Sequence, residues 1–126
     1  MIDTAIYQII SGDSGVSALV GSEVYIGVNP DPGALYITIQ GIQHLRPANI
    51  DFGASKQHAG FQVDVYGKLS PSVSDLSEAV VSATHYKTAV ADGHSIQFMR
   101  VENERSNHEP ETKLFRKSLD ISLFFD

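Results

Sequence analysis

A chain of 126 residues, 42% apolar, is long enough for one domain that buries roughly two thirds of its unfolded surface. Its net charge of -6 argues against holding nucleic acid by the phosphates, because that attraction comes from clustered Lys and Arg. The absence of Cys excludes disulfides, thiolate zinc sites and cysteine nucleophiles, and no apolar run approaches the roughly 18 residues of a membrane span.

In chain order, Met1-Ile2-Asp3 lacks the basic region of a signal peptide, and a soluble protein of a reducing compartment is expected. Ile2, Ala5, Ile6, Ile9 and Ile10 share one stripe of a helix, with Asp3 in the first turn where the dipole favours it. Ser11-Gly12-Asp13-Ser14-Gly15 stops that helix, and Val16 to Val20 suits a further short turn closed by Gly21. Val24 to Val28 reads as a first strand, and Asn29-Pro30-Asp31-Pro32-Gly33 as a turn, since Pro fixes φ and Gly accepts positive φ. Leu35, Ile37 and Ile39 alternate with Tyr36, Thr38 and Gln40, a second strand extending to Gln43 or His44. Leu45 to Gln57 has Pro47 and no sustained period, and is expected to be a long exposed loop.

Phe61, Val63 and Val65 alternate with Gln62, Asp64 and Tyr66, the period-two pattern of a strand with one face on a core. After Gly67, Ser70-Pro71 or the pair Ser72 and Asp75 opens a helix. Val73, Leu76, Val80 and Ala83 carry it to about Tyr86. The pattern is then unclear until the Asp92-Gly93 turn. Ile96 to Val101 suits a strand apolar on both faces, as if covered on both sides or by a neighbouring subunit. Glu102 to Thr112 is polar, contains Pro110 and is expected to be a second long loop. Leu119, Ile121, Leu123 and Phe125 alternate with Ser118, Asp120, Ser122 and Phe124 in a closing strand. These elements predict an α+β fold: a small, mostly antiparallel twisted sheet with one main helix (about 70–86) packed on it, plus an N-terminal helix.

Residue chemistry supports no enzyme. Gly12-Asp13-Ser14-Gly15 matches the tetrad around a serine-protease nucleophile, but the His and Asp of that chemistry precede the Ser, and only eleven residues precede Gly12. Helix stop followed by a cap is the better account. The five histidines (His44, His58, His85, His94, His108) show no metalloprotease spacing, and His108, Glu109 and Glu111 read as solvated loop residues. Glu102 and Glu104 would need burial to act as an acid-base pair. Gly41, Gly53 and Gly60 are too scattered for a phosphate loop, and Lys113, Arg116 and Lys117 are too few for a nucleic-acid patch. No cofactor and no metal are expected. Two polar loops on a small sheet with open edges suggest self-assembly or docking.

Four stretches carry a family resemblance. Gly15-Val16-Ser17-Ala18-Leu19-Val20-Gly21 followed by Val24-Tyr25 resembles the opening of the tail-completion (tail-terminator) proteins of long-tailed bacteriophages and prophages. Pro30 through Tyr36-Ile37 is similar to that family's proline-bearing turn, with Leu35 where a proline would stand. Val63-Asp64-Val65-Tyr66 with the following helix resembles its central unit, and Arg116-Lys117-Ser118-Leu119-Asp120-Ile121 its closing strand. The resemblance implies a virion structural protein, made in the host bacterial cytoplasm and resident at the tail-neck junction. It implies a ring, commonly a hexamer, that caps the head-proximal end of the tail tube and ends tube polymerisation. Its partners would be copies of itself, the major tail tube protein and the head-tail connector proteins. DNA would pass through the lumen without specific binding, and no membrane would be involved. Contact residues are expected in the two loops: Arg46, Asn49, Asp51 and Lys56 in the first, and Asn103, Glu104, Arg105, Glu109 and Lys113 in the second, with Arg116 beside it. The rival readings are a head-completion or neck adaptor protein and, from another class, a small α+β enzyme or ligand-binding domain with a deep apolar pocket.

Overall fold

A computed structural model describes residues 2–27, 35–45, 57–110 and 113–125, with the backbone alone at 43–45. Among these residues three helices, α1 (Ile2–Ser11), α2 (Ser14–Val20) and α3 (Ser70–Thr84), accompany six strands. The strands are β1 (Val24–Ile26), β2 (Leu35–Leu45), β3 (Gln57–Gly67), β4 (Ala89–Ala91), β5 (His94–Glu109) and β6 (Leu114–Phe125). They form one sheet in the order β1-β2-β3-β6-β5-β4, antiparallel throughout except for β1 beside β2. This is the mixed α+β architecture expected from the alternation.

The organising strand behaves as its pattern demands. Ala59, Phe61, Val63 and Val65 of β3 lie within one core with Ile37 and Ile39 of β2 and Leu119, Ile121, Leu123 and Phe125 of β6. Val73, Leu76 and Val80 of α3 and Ala5, Ile6 and Ile10 of α1 close that core from the same side. A helix can cover a pleated face this way because residues three and four apart form a single stripe. β3 and β6 meet in unbroken register, and β2 meets β3 with one register shift between Gly41 and Gln43; Asp64 stands opposite Thr38 on one side and Ser118 on the other.

Local chemistry sets the ends of these elements. Asp13 caps α2 by accepting from the Val16 N–H at 3.1 Å, which makes Gly12-Asp13-Ser14-Gly15 a helix stop and cap. A Cβ at Gly12 would stand 2.7 Å from the Gln8 carbonyl oxygen, so only glycine fits where α1 turns into α2. For α3 the N-cap position is Leu69, without a side-chain cap bond, and Pro71 lies in the first turn; neither Ser70 nor Ser72 is the cap. That helix ends at Thr84, two residues short of Tyr86.

Four expectations need correction. The polar segment from Glu102 is not a loop: β5 continues through it to Glu109, and β6 begins at Leu114, well before the expected start. β4, unseen in the sequence, forms a hairpin with β5 across Asp92 and Gly93, both at positive φ (49° and 76°) as a tight two-residue turn requires. β1 stops at Ile26, with Gly27 at φ 86°. The apolar double face of Ile96 to Val101 has a local cause. A register shift between Ile96 and Phe98 puts Ile96 and Met99 both in the core, while Phe98 pairs with Phe124 on the other face. The expected turn at 29–33, and residues 46–56 of the first expected loop, lie outside the described residues.

Candidate assembly surface

Among the described residues, the helices share a core with one face of the sheet, and the opposite face carries the polar half of every alternation. Its centre is Asp64, 1% exposed. A buried carboxylate is costly unless its lone pairs are used, and here three side chains use them. Ser118 Oγ donates to Oδ1 at 2.6 Å, Gln62 Nε2 donates to both oxygens at 3.0 and 3.1 Å, and the Arg116 guanidinium stands 3.4 Å from Oδ2.

Arg116 links this centre to its surroundings. Its Nε donates to Ser118 Oγ at 3.2 Å, and its other fork reaches Glu109 at 3.8 Å. Its guanidinium carbon lies 5.7 Å from the centroid of the Tyr66 ring, and that ring stacks on Tyr36 at 4.8 Å and 13°. Burial, then the Asp64 charge, pushes the Tyr66 phenol above its ordinary value; burial, then Glu109, does the same to Tyr36.

Farther along the face the two other arginines among the described residues are paired as well. Arg105 grips Asp120 with two nitrogens (2.7 and 3.2 Å), and Arg100 grips Glu102 likewise (2.6 and 3.2 Å). Hydrogen bonds from Arg100 and then Ser122 hold the Glu102 carboxyl below the usual carboxylate range. A row of rings then crosses the strands at the opposite end. His58 stacks on Phe124 (4.6 Å), Phe124 approaches Phe98 (6.4 Å), and Phe98 approaches the exposed Tyr86 (5.6 Å).

The predicted contact residues divide accordingly. Arg46, Asn49, Asp51 and Lys56 lie outside the described residues. Asn103, Arg105, Glu109 and Arg116 come together on the open face, on strands rather than on a loop. Glu104 stands on the other face, 3.7 Å from Lys117, because successive strand residues point opposite ways. Lys113 sits in the β5–β6 turn at φ 58°, its N–H donating to the Glu109 carbonyl. Sequence reasoning missed Asp64, Tyr36, Tyr66 and Ser118. The available signal was a carboxylate inside an apolar strand, Val63-Asp64-Val65, but its partner Arg116 is 52 residues away and only the register brings them together.

Among the described residues, one cleft of about 340 Å³ lies between the end of α3 (Val81, His85) and Val101 to Glu104 of β5, and another of about 210 Å³ holds Ile42, His58 and Glu102. Among the described residues no three metal-ligating side chains converge. Paired charges and stacked rings suit contact with another macromolecule.

Comparison with known proteins gives the surface its setting. Among solved structures, a protein of the "Virion of native gene transfer agent (GTA) particle" superposes with a TM-score of 0.78 at 18% identity, covering 98% of this chain and 93% of that one. A second solved protein superposes at 0.57 with 16% identity, covering 99% and 92%. Both show that the fold is shared. No curated protein matches at a significant level. The model of the family described as "Tail completion protein gp17" matches residues 4–126, and the chain therefore belongs to the tail completion protein gp17 family.

Proposed function

We propose that this protein caps the head-proximal end of the phage tail tube, ends tube polymerisation and helps form the surface that joins tail to head. Membership of a tail completion family over residues 4–126 carries the reading, and it identifies a structural component of a phage-like tail. In this account the protein works as a ring of six copies, touching the last ring of tube protein on one side and the head-tail connector on the other. A ring contact is heterologous and needs two different patches on each subunit. The open sheet face and the sheet edges offer surfaces of different character. Arg100, Arg105 and Arg116 are each held by a carboxylate, and the chain carries a net charge of -6. Such a surface lets DNA slide past without releasing counterions, which is what a conduit requires.

Deleting the gene from a particle-producing phage or prophage and imaging the lysate by negative-stain electron microscopy tests the proposal. Overlong, headless tubes beside full heads are expected. Tails of normal length beside emptied heads would move the protein to the head side of the neck, and intact infectious particles would overturn an assembly role.

A further inference from the structure

The sheet ends in two unequal edges. On one side, β4 and the segment before it cover β5 only as far as Val101. Ala89 to Ala91 pair with His94 to Ile96, Met99 exchanges backbone bonds with Tyr86 and Lys87, and the Val101 N–H donates to His85 Nδ1 at 3.1 Å. Beyond Val101 no described residue pairs with that edge, and Glu102 to His108 are exposed. The ladder to β6 alternates, and the Glu109–Leu114 pair at the hairpin end sets its phase. Glu104 and Ser106 therefore direct their N–H and C=O groups away from β6. On the other side, β1 pairs with β2 only from Ile37 to Ile39, and its last bond runs from the Gly27 N–H to the Ile39 carbonyl. Among the described residues Gly41 to Leu45 has no neighbour there, and Ile42 is 57% exposed.

We infer that the edge of β5 left open among the described residues, Asn103 to His108, pairs with the edge of β2 left open among them, Gly41 to Leu45, of a second copy of this chain. The inference rests on the ring reading and specifies its contact. Two observations select this occupant. Direction is the first: each central strand is antiparallel to its neighbour from β2 through β3 and β6 to β5, so β5 runs opposite to β2. Rotation about an axis roughly along the strands preserves polarity, so the β2 of a rotated copy meets β5 antiparallel. Offset is the second. Ser106 is level with Ile37 through Lys117 and Val65, whereas Gln43 is level with Gly60, five residues from Val65 along β3, or roughly 17 Å at the rise of a strand. Four strand spacings separate one β2 from the next, roughly 19 Å. The resulting stagger tilts the strands by about 40°, within the range in which sheets close on themselves. An unclosed sheet edge is otherwise a template for uncontrolled pairing.

The natural chain has no Cys, so any introduced disulfide reports one contact. Ser106→Cys would be combined in turn with Gln43→Cys and with His44→Cys, and the full chain oxidised both at high concentration and within assembled particles. At least one pair is expected to convert most of the chain into a reducible ladder of dimer, trimer and higher species on a denaturing gel, with Ser106→Cys alone giving none. Dimers from Ser106→Cys alone would overturn the inference, because they place β5 against β5. Absence of any ladder from chains that are present in particles would also overturn it, while leaving the tail role standing. A ladder in solution combined with intact tails in the deletion strain would do the reverse.

Discussion

The two faces of β3 present the same strand to opposite problems. Ala59, Phe61, Val63 and Val65 are buried by helices, and their stability is that of apolar surface removed from water. Asp64 is as deeply buried, but among side chains of its own sheet, and its stability is that of satisfied hydrogen bonds and one ion pair. The first face tolerates any apolar residue of the right volume. The second tolerates little, because each member is the partner of another. A fold can be held by the first face alone; the second adds a rigid, patterned surface.

The difference is open to attack from both sides. The largest loss is expected from Leu76→Ala, fully buried on α3, at about 4 kcal/mol in urea unfolding, since a cavity adds to the lost transfer energy. Asp64→Ala should cost about 3 kcal/mol by removing the buried acceptor that Ser118, Gln62 and Arg116 share, and the double variant Asp64→Leu/Arg116→Met should lose less than Asp64→Ala alone. A double-variant loss equal to the sum of the two single losses would show that the pair acts as two independent residues. Asp13→Ala, which removes the cap of α2, should cost about 1 kcal/mol and leave the open face unchanged.

The smallest effect comes from the stacked tyrosines. The folded-state values of Tyr36 and Tyr66 are raised, so the unfolded chain loses these protons first as pH rises. Their contribution is full below about pH 10 and declines above it. Titration of phenolate absorbance should show two tyrosines ionising late, and Tyr66→Phe should remove one of them.

What was legible in the sequence follows the same division. Strands with one apolar face, such as β2, β3 and the second half of β6, announce themselves by alternation because only one side meets the core. The far half of β5 does not. Glu102 to His108 is exposed on both faces, so no hydrophobic period marks it, and its strand state comes from pairing with β6 across the turn at Lys113. β4 was hidden by its length of three residues. The Asp64 centre was hidden for a third reason: hydrogen bonding across three strands depends on register, which no local window contains. Whole-chain resemblance still reached the family, because it draws on the order of short motifs rather than on any one site.

Immunogold labelling of intact particles with an antibody against this protein tests the central claim most directly. The account predicts gold at the junction of head and tail, and at one end only of detached tails. Label along the tube, at the distal tip or on free heads alone would contradict it.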